Sequence, residues 1–190
     1  MSLLGRLLKN RRAGETHAAW NLPNLQGPEQ LTLTSRHFSH DGLLPLEHCA
    51  KHIGGGDVSP HLAWTALPPG TAQLLLVVED IDVPMAKPAV HCVALIDPSA
   101  GHLEPGALAT RRPGPGVRVL RSTIGRGYHG PAPVKGHGPH RYVFQLFALS
   151  APVDGAPDTT PVDRARPRAL LPTLTAPVLD RARLTGVFER

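Results

Sequence analysis

Cysteine is scarce. Cys49 and Cys92 are the only two in 190 residues, too few for a disulfide framework and without the CxxC spacing of a redox or zinc motif. Nothing in the chain asks for an oxidising compartment. Aromatic residues make up only 4%, and although the net charge is +5, the arginines are scattered from Arg6 to Arg190. A nucleic-acid surface needs clustered cations with interleaved rings, so no nucleic-acid partner is expected. The densest basic group, Arg6, Lys9, Arg11 and Arg12, reads as a solvated tail, with a weak contact to anionic lipid or nucleic acid as the lesser reading. No stretch approaches the ~20 apolar residues of a transmembrane segment. The first ten residues also lack the continuous apolar core and small-residue cleavage site of a secretory signal. A cytoplasmic protein is expected.

What the chain has in quantity is proline, 21 residues, and glycine, 19. Spread without collagen-like period between apolar runs, they mark frequent turns and favour many short strands over long helices. A hydrophobic fraction of 41% in 190 residues fits one domain with a single core. Residues 1–30 read as a polar lead-in and 31–190 as the domain. Leu31–Thr34 and Leu62–Trp64 are short strand candidates on either side of the glycine-rich loop Gly54–Pro60. Gln73–Val78 and Val90–Ile96 read as fully buried strands, and Tyr142–Leu149 as a third. Antiparallel pairing of the first two would bring Asp80, Asp82 and His91 to one sheet edge. Residues 151–172, rich in Pro, Arg, Asp and Thr, read as a surface loop. Over 175–185 a helix is expected: Pro177 near its start, a stripe of Val178, Leu179 and Ala182, and Gly186 just past its end.

Two stretches concentrate the chemistry: Glu79-Asp80-Ile81-Asp82-Val83-Pro84 with His91, and Gly136-His137-Gly138-Pro139-His140-Arg141-Tyr142. Asp80, Asp82, His91 and His140 admit three uses. They could ligate a divalent metal, run acid–base catalysis, or line a pocket in which His91, His140 and Tyr142 donate to an anion with Arg141 assisting and the carboxylates orient the donors or meet an ammonium. The plain alternative is two aspartates capping a turn before Pro84 and two structural histidines. For metal the local signatures are poor. His48 and His52, beside Cys49, run into a glycine loop rather than a helix, so neither a metal nor a cofactor is expected. For nucleophilic catalysis, Ser59 lacks the GxSxG elbow and Cys92 lies inside a buried run.

These two stretches carry a resemblance to the phosphatidylethanolamine-binding protein family, in its bacterial, Raf-kinase-inhibitor-like branch. The first signature appears as Ser59-Pro60, Leu62-Ala63-Trp64, Asp80-Ile81-Asp82-Val83-Pro84 and His91, and the second as Tyr128 through Tyr142. The resemblance implies a mostly β fold, a sandwich of two antiparallel sheets with a few peripheral helices, one of them near the C-terminus. It implies an anion pocket lined by Asp80, Asp82, Pro84, His91, Gly130, Pro131, Pro133, His140 and Tyr142. Expected ligands are phosphate-like: a phospholipid headgroup or a phosphorylated partner, with a kinase-inhibitor-like regulatory role and a homodimer among the expectations. Catalysis is not a general attribute of the family, and an enzyme using the Asp/His set for metal-assisted or acid–base hydrolysis is the alternative. The chain departs from the pattern at Asp57, Ile81, Val83, Cys92 and Val134, mostly wall positions, while the charged and donor groups are kept.

Overall fold

The computed structural model describes residues 7–153 and 160–190. Its strands are β1 (Leu33–Thr34), β2 (Gly42–Leu43), β3 (Leu62–Trp64), β4 (Gln73–Asp80), β5 (Ala89–Ile96), β6 (His102–Leu103), β7 (Val117–Val119), β8 (His140–Leu149) and β9 (Val178–Phe188). They form a three-stranded sheet in the order β1-β3-β6 and a six-stranded sheet in the order β2-β9-β8-β4-β5-β7. Every pairing is antiparallel except the short edge pair of β2 with β9, which is parallel. The expected mostly β, two-sheet architecture with few helices is what the chain forms.

The large sheet is covered on both faces, which explains why β4 and β5 read as uninterrupted apolar runs. Leu74, Leu76 and Val78 of β4, with Cys92, Ala94 and Ile96 of β5 and Phe144 of β8, face the small sheet through Leu33, Leu62 and Leu103. The alternate residues Leu75, Val77, Val93, Leu95 and Phe147 face Trp20, Leu25, Leu170, Leu171 and Leu174. Strand periodicity sends neighbours to opposite cores. Each fully buried aliphatic side chain contributes roughly 1.5–3 kcal/mol.

Four expectations need correction. Residues 1–30 are not only a lead-in, because Ala19, Trp20 and Leu25 are buried. The polar look of this segment hid a device: its buried backbone is satisfied from the sheet, Ala19 N–H donating to Glu79 Oε2 at 2.7 Å and Trp20 N–H to Gln145 Oε1 at 2.7 Å. Of the basic group, Arg6 lies outside the described residues, and Arg12 is no solvated cation, since it pairs with Asp82 at 2.9 Å. The expected surface loop 151–172 also packs inward. Residues 154–159 lie outside the described residues, but Val153, Val162, Ala165, Leu170 and Leu171 are buried, the last two around a one-turn helix, α1 (Pro167–Leu170).

The fourth correction is the helix expected over 175–185, which is the strand β9. Val178, Leu179 and Ala182 are compatible with a helical stripe, but β8 presents a long open edge that β9 satisfies from Leu149↔Val178 to His140↔Phe188. In that register Ala182 and Leu184 join the inter-sheet core. Arg181 and Arg183 turn the other way, over the Trp20 ring at 4.0 and 5.1 Å. Gly186 is not a helix stop. A Cβ there would lie 2.6 Å from Leu44 Cγ, so the glycine lets β2 and its following residue pass.

Candidate functional site

The stretch from Glu79 to Asp82 sends three carboxylates to three places. Glu79 points to the Trp20 side of the sheet, where it is fully buried and paired with Arg168 at 2.6 Å. Asp80 points to the opposite face. Asp82 follows the strand end, and its carboxylate takes Arg141 Nε at 2.8 Å, Arg141 Nη2 at 2.9 Å and Arg12 Nη1 at 2.9 Å. Burial pushes the Asp82 carboxyl up, but the hydrogen bonds from Arg141 and Arg12 outweigh it and hold it below the ordinary aspartate range.

His91 reaches the same face as Asp80 through a bulge. Val78 pairs with Cys92 while Glu79 pairs with Val90, so His91 is the extra residue of β5. Simple alternation would put His91 on the face opposite Cys92; a bulge re-aims one side chain, and its ring lies edge-on to Tyr142 at 5.2 Å between centroids. Together Asp80, His91, His140 and Tyr142 form the floor of a cavity of about 290 Å³. Val83, Pro84, Ala89, Ile124, Pro133 and Val134 are among its apolar walls, and His52, Asp57, His129 and Gly130 complete its polar part.

Of the nine residues expected to bind ligand, seven line this cavity: Asp80, Pro84, His91, Gly130, Pro133, His140 and Tyr142. Asp82 and Pro131 do not. Asp82 is engaged by the two arginines, and Pro131 serves through its carbonyl, which accepts the Ala50 N–H at 3.0 Å and ties the two loops of the cavity wall together. Arg141, expected to assist an anion, spends its guanidinium on Asp82 and does not line the cavity.

His137 is the residue sequence reasoning passed over, although it stands three positions before His140. It is fully buried. Its Nε2 faces only carbonyl oxygens, Leu8 O at 2.9 Å and Arg11 O at 3.1 Å, so that nitrogen carries a proton. His137 Nδ1 lies 2.7 Å from His140 Nε2, and His140 Nδ1 lies 2.7 Å from Asp80 Oδ2. Each of these contacts also requires one proton. The three links hold three protons, whereas two neutral imidazoles beside an ionised carboxylate supply two. The Asp80–His140–His137 chain in this geometry therefore carries one further proton and a net charge of zero instead of −1.

The other two floor groups have fixed roles. His91 Nδ1–H donates to the His129 carbonyl at 2.7 Å, which leaves the lone pair on Nε2. Burial is the largest influence on this imidazole and holds it below the ordinary histidine range, against the His129 carbonyl and the Asp80 charge. Neutral His91 is thus an acceptor toward the cavity, not the donor expected from sequence. The Tyr142 hydroxyl is buried beside Asp80 without a well-formed hydrogen bond; burial first, then the Asp80 charge and its proximity as an acceptor, keep it protonated. Asp57, at a positive φ of 52°, shapes the rim: its Oδ1 accepts the Gly130 N–H at 2.8 Å and its Oδ2 the Lys51 N–H at 3.2 Å.

Comparison with known proteins gives consistent relatives. The family model described as phosphatidylethanolamine-binding protein matches residues 34–189. A UPF0098 protein of Aquifex aeolicus is 31% identical over 157 residues, 82% of this chain and 86% of its own length. Phomoidride biosynthesis cluster protein B, from a fungal species, is 32% identical over 161 residues, 80% of this chain and 76% of its own length. The crystal structure of Escherichia coli YbcL, a member of the mammalian PEBP family, superposes with a TM-score of 0.71 at 27% identity, covering 85% of this chain and 99% of that one.

Proposed function

The chain belongs to the phosphatidylethanolamine-binding protein family, and on that premise we propose that its cavity binds a phosphate-bearing ligand without transforming it. The observation that carries this reading is the pairing, on one floor, of a Tyr142 hydroxyl with no well-formed hydrogen bond and an Asp80–His140–His137 chain whose extra proton cancels the carboxylate charge. An ionised carboxylate would repel an anion; the protonated chain does not. Tyr142 donates to a phosphoryl oxygen, and His91 Nε2 accepts from a phosphate that keeps a proton.

No activated nucleophile lines the cavity among the described residues. Ser59 accepts the Leu108 N–H through its hydroxyl and is buried elsewhere. Cys92 faces the inter-sheet core with its thiol pushed far up by burial. Binding rather than hydrolysis is therefore the reading supported. The apolar walls suit the remainder of a phospholipid headgroup or of a phosphorylated side chain, and through the latter a kinase-inhibitor-like regulatory role. Two free, buried cysteines suit a reducing compartment, which supports a cytoplasmic location.

Calorimetric titration with inorganic phosphate, glycerophosphoethanolamine and phosphoserine tests this between about pH 5.5 and 8. Affinity should rise as pH falls, because a phosphate that keeps the proton it offers to His91 Nε2, and an Asp80–His140–His137 chain that keeps its extra proton, are both favoured at lower pH. Sulfate, which brings no proton for His91 Nε2, should bind more weakly than phosphate. Tyr142→Phe should weaken phosphate by about tenfold, the worth of one buried hydrogen bond of ~1.4 kcal/mol. Affinity that is flat or rises with pH, or an unchanged Tyr142→Phe, overturns the reading.

A further inference from the structure

Away from the cavity, a second group of histidines lies along the outer loops: His48, His37, His61 and His102 follow one another with ring centroids 4.6, 6.5 and 5.9 Å apart. We propose that His37, Glu47 and His48 form a binding site for a divalent transition metal of the zinc class. One ligand atom from each lies within 4.8 Å of the others. That is wider than a closed metal shell, and Glu47, an exposed side chain in the middle of a short 3-10 turn (Leu46–His48), is free to close it.

His48 is the anchor. It is fully buried, and its Nδ1–H donates to the Val58 carbonyl at 2.8 Å, which fixes the tautomer and leaves the lone pair on Nε2. A backbone carbonyl holding the far nitrogen is how proteins orient metal-ligating imidazoles. Nε2 itself is buried without a hydrogen-bond partner, and Glu47 Oε1 stands 3.4 Å from it. With the Nδ1–H committed to Val58, the Nε2 lone pair and the Glu47 carboxylate oxygen are two acceptors facing each other without a hydrogen bond between them. A cation between them removes the conflict.

His37 is the third donor and joins at a price: its Nδ1 accepts the His61 backbone N–H at 3.1 Å, and ligation through either ring nitrogen gives up that bond. Two imidazoles and one carboxylate are a borderline N/O set that suits zinc and its transition-metal neighbours rather than magnesium or calcium, and three protein ligands leave a position for water.

The test is titration of the tag-free, chelator-treated full chain with zinc chloride against a competing chromophoric chelator. The wild type should take up one equivalent. Glu47→Gln, an exposed change that leaves the fold alone, and His37→Gln should each weaken zinc by at least about tenfold, whereas His17→Gln, an exposed imidazole elsewhere, should not. Long-range imidazole nitrogen spectra should move at His48 Nε2 on zinc addition while Nδ1 keeps its proton. Absence of uptake by the wild type, equal loss in His17→Gln, unaltered affinity in both trio variants, or a shift confined to other histidines overturns the assignment.

Discussion

Two groups of histidines in this chain are built on opposite rules. In His137–His140 every ring nitrogen meets a partner at 2.7 to 3.1 Å, ending on Asp80 at one side and on the Leu8 and Arg11 carbonyls at the other. In the outer group the His48 Nε2 and His61 Nδ1 atoms are buried with none. A completed network positions what it holds, whereas an uncompleted one has room for something to be added. Gly130 is where the two meet. A Cβ there would lie 2.4 Å from the Cys49 carbonyl carbon and 2.5 Å from His48 O, and backbone atoms cannot step aside as a side-chain tip can. Gly130→Ala should therefore be the largest disturbance, about 3 kcal/mol of stability by overpacking. Thermal unfolding should show the loss, and titrations should show phosphate and zinc affinity falling together. Loss of only one would mean that the cavity wall and the His48 turn move independently.

The completed group is broken alone by His137→Ala. Removing this ring leaves His140 Nε2 buried without its partner and releases the two carbonyls of the N-terminal segment, at a cost of about 2 kcal/mol. Urea unfolding measures that loss. Phosphate binding should weaken while zinc binding stays as in the wild type, because among the described residues the bonds and ring contact of His137 go to His140, Leu8 and Arg11 and not to the outer group. Amide exchange should also quicken around Leu8 to Arg11.

Asp80 and Asp82 repeat the contrast within one strand end. The first shares a proton with His140; the second is a full anion between Arg141 and Arg12. Since the folded-state pKa of Asp82 is depressed, its stabilisation is present above the unfolded value near 3.9 and is lost as pH falls through the lower folded value. Asp82→Asn should thus be less stable than the wild type by about 1.5 kcal/mol at neutral pH. The two denaturation curves should converge below about pH 4. A gap that persists in acid would assign the effect to packing rather than charge.

The strands and the identity of the floor residues were legible because they are local signals: apolar runs for β4, β5 and β8, and polar groups at their ends. The C-terminal element was not, since Val178, Leu179 and Ala182 satisfy either period and the β8 edge, 29 or more residues away in sequence, decides between them. His91's orientation hung on a bulge of a single residue, which leaves no mark in composition. Asp82 and Arg141 looked like pocket groups because they flank the right positions, yet their mutual hydrogen bonds take both out of the cavity. His137 did leave a signal, an imidazole three residues before His140 in a glycine-bracketed loop. Its role becomes visible only when the N-terminal carbonyls fold over it.

The smallest expected effect tests the contrast from its other side. His61 is nearly buried, and its Nδ1 has no partner; burial above all lowers its affinity for a proton, with Arg36 acting in the same direction. An imidazole that makes no compensating bond at that atom contributes little that leucine of similar bulk would not, and an apolar replacement removes an unsatisfied polar atom. His61→Leu in metal-free buffer should therefore unfold within about 0.5 kcal/mol of the wild type, where His137→Ala loses several times that. His61 does not belong to the zinc trio, yet its backbone N–H holds His37, so zinc affinity should move by less than about threefold. A large destabilisation would show that the His61 ring is structurally committed and that the outer histidines are a network like the first.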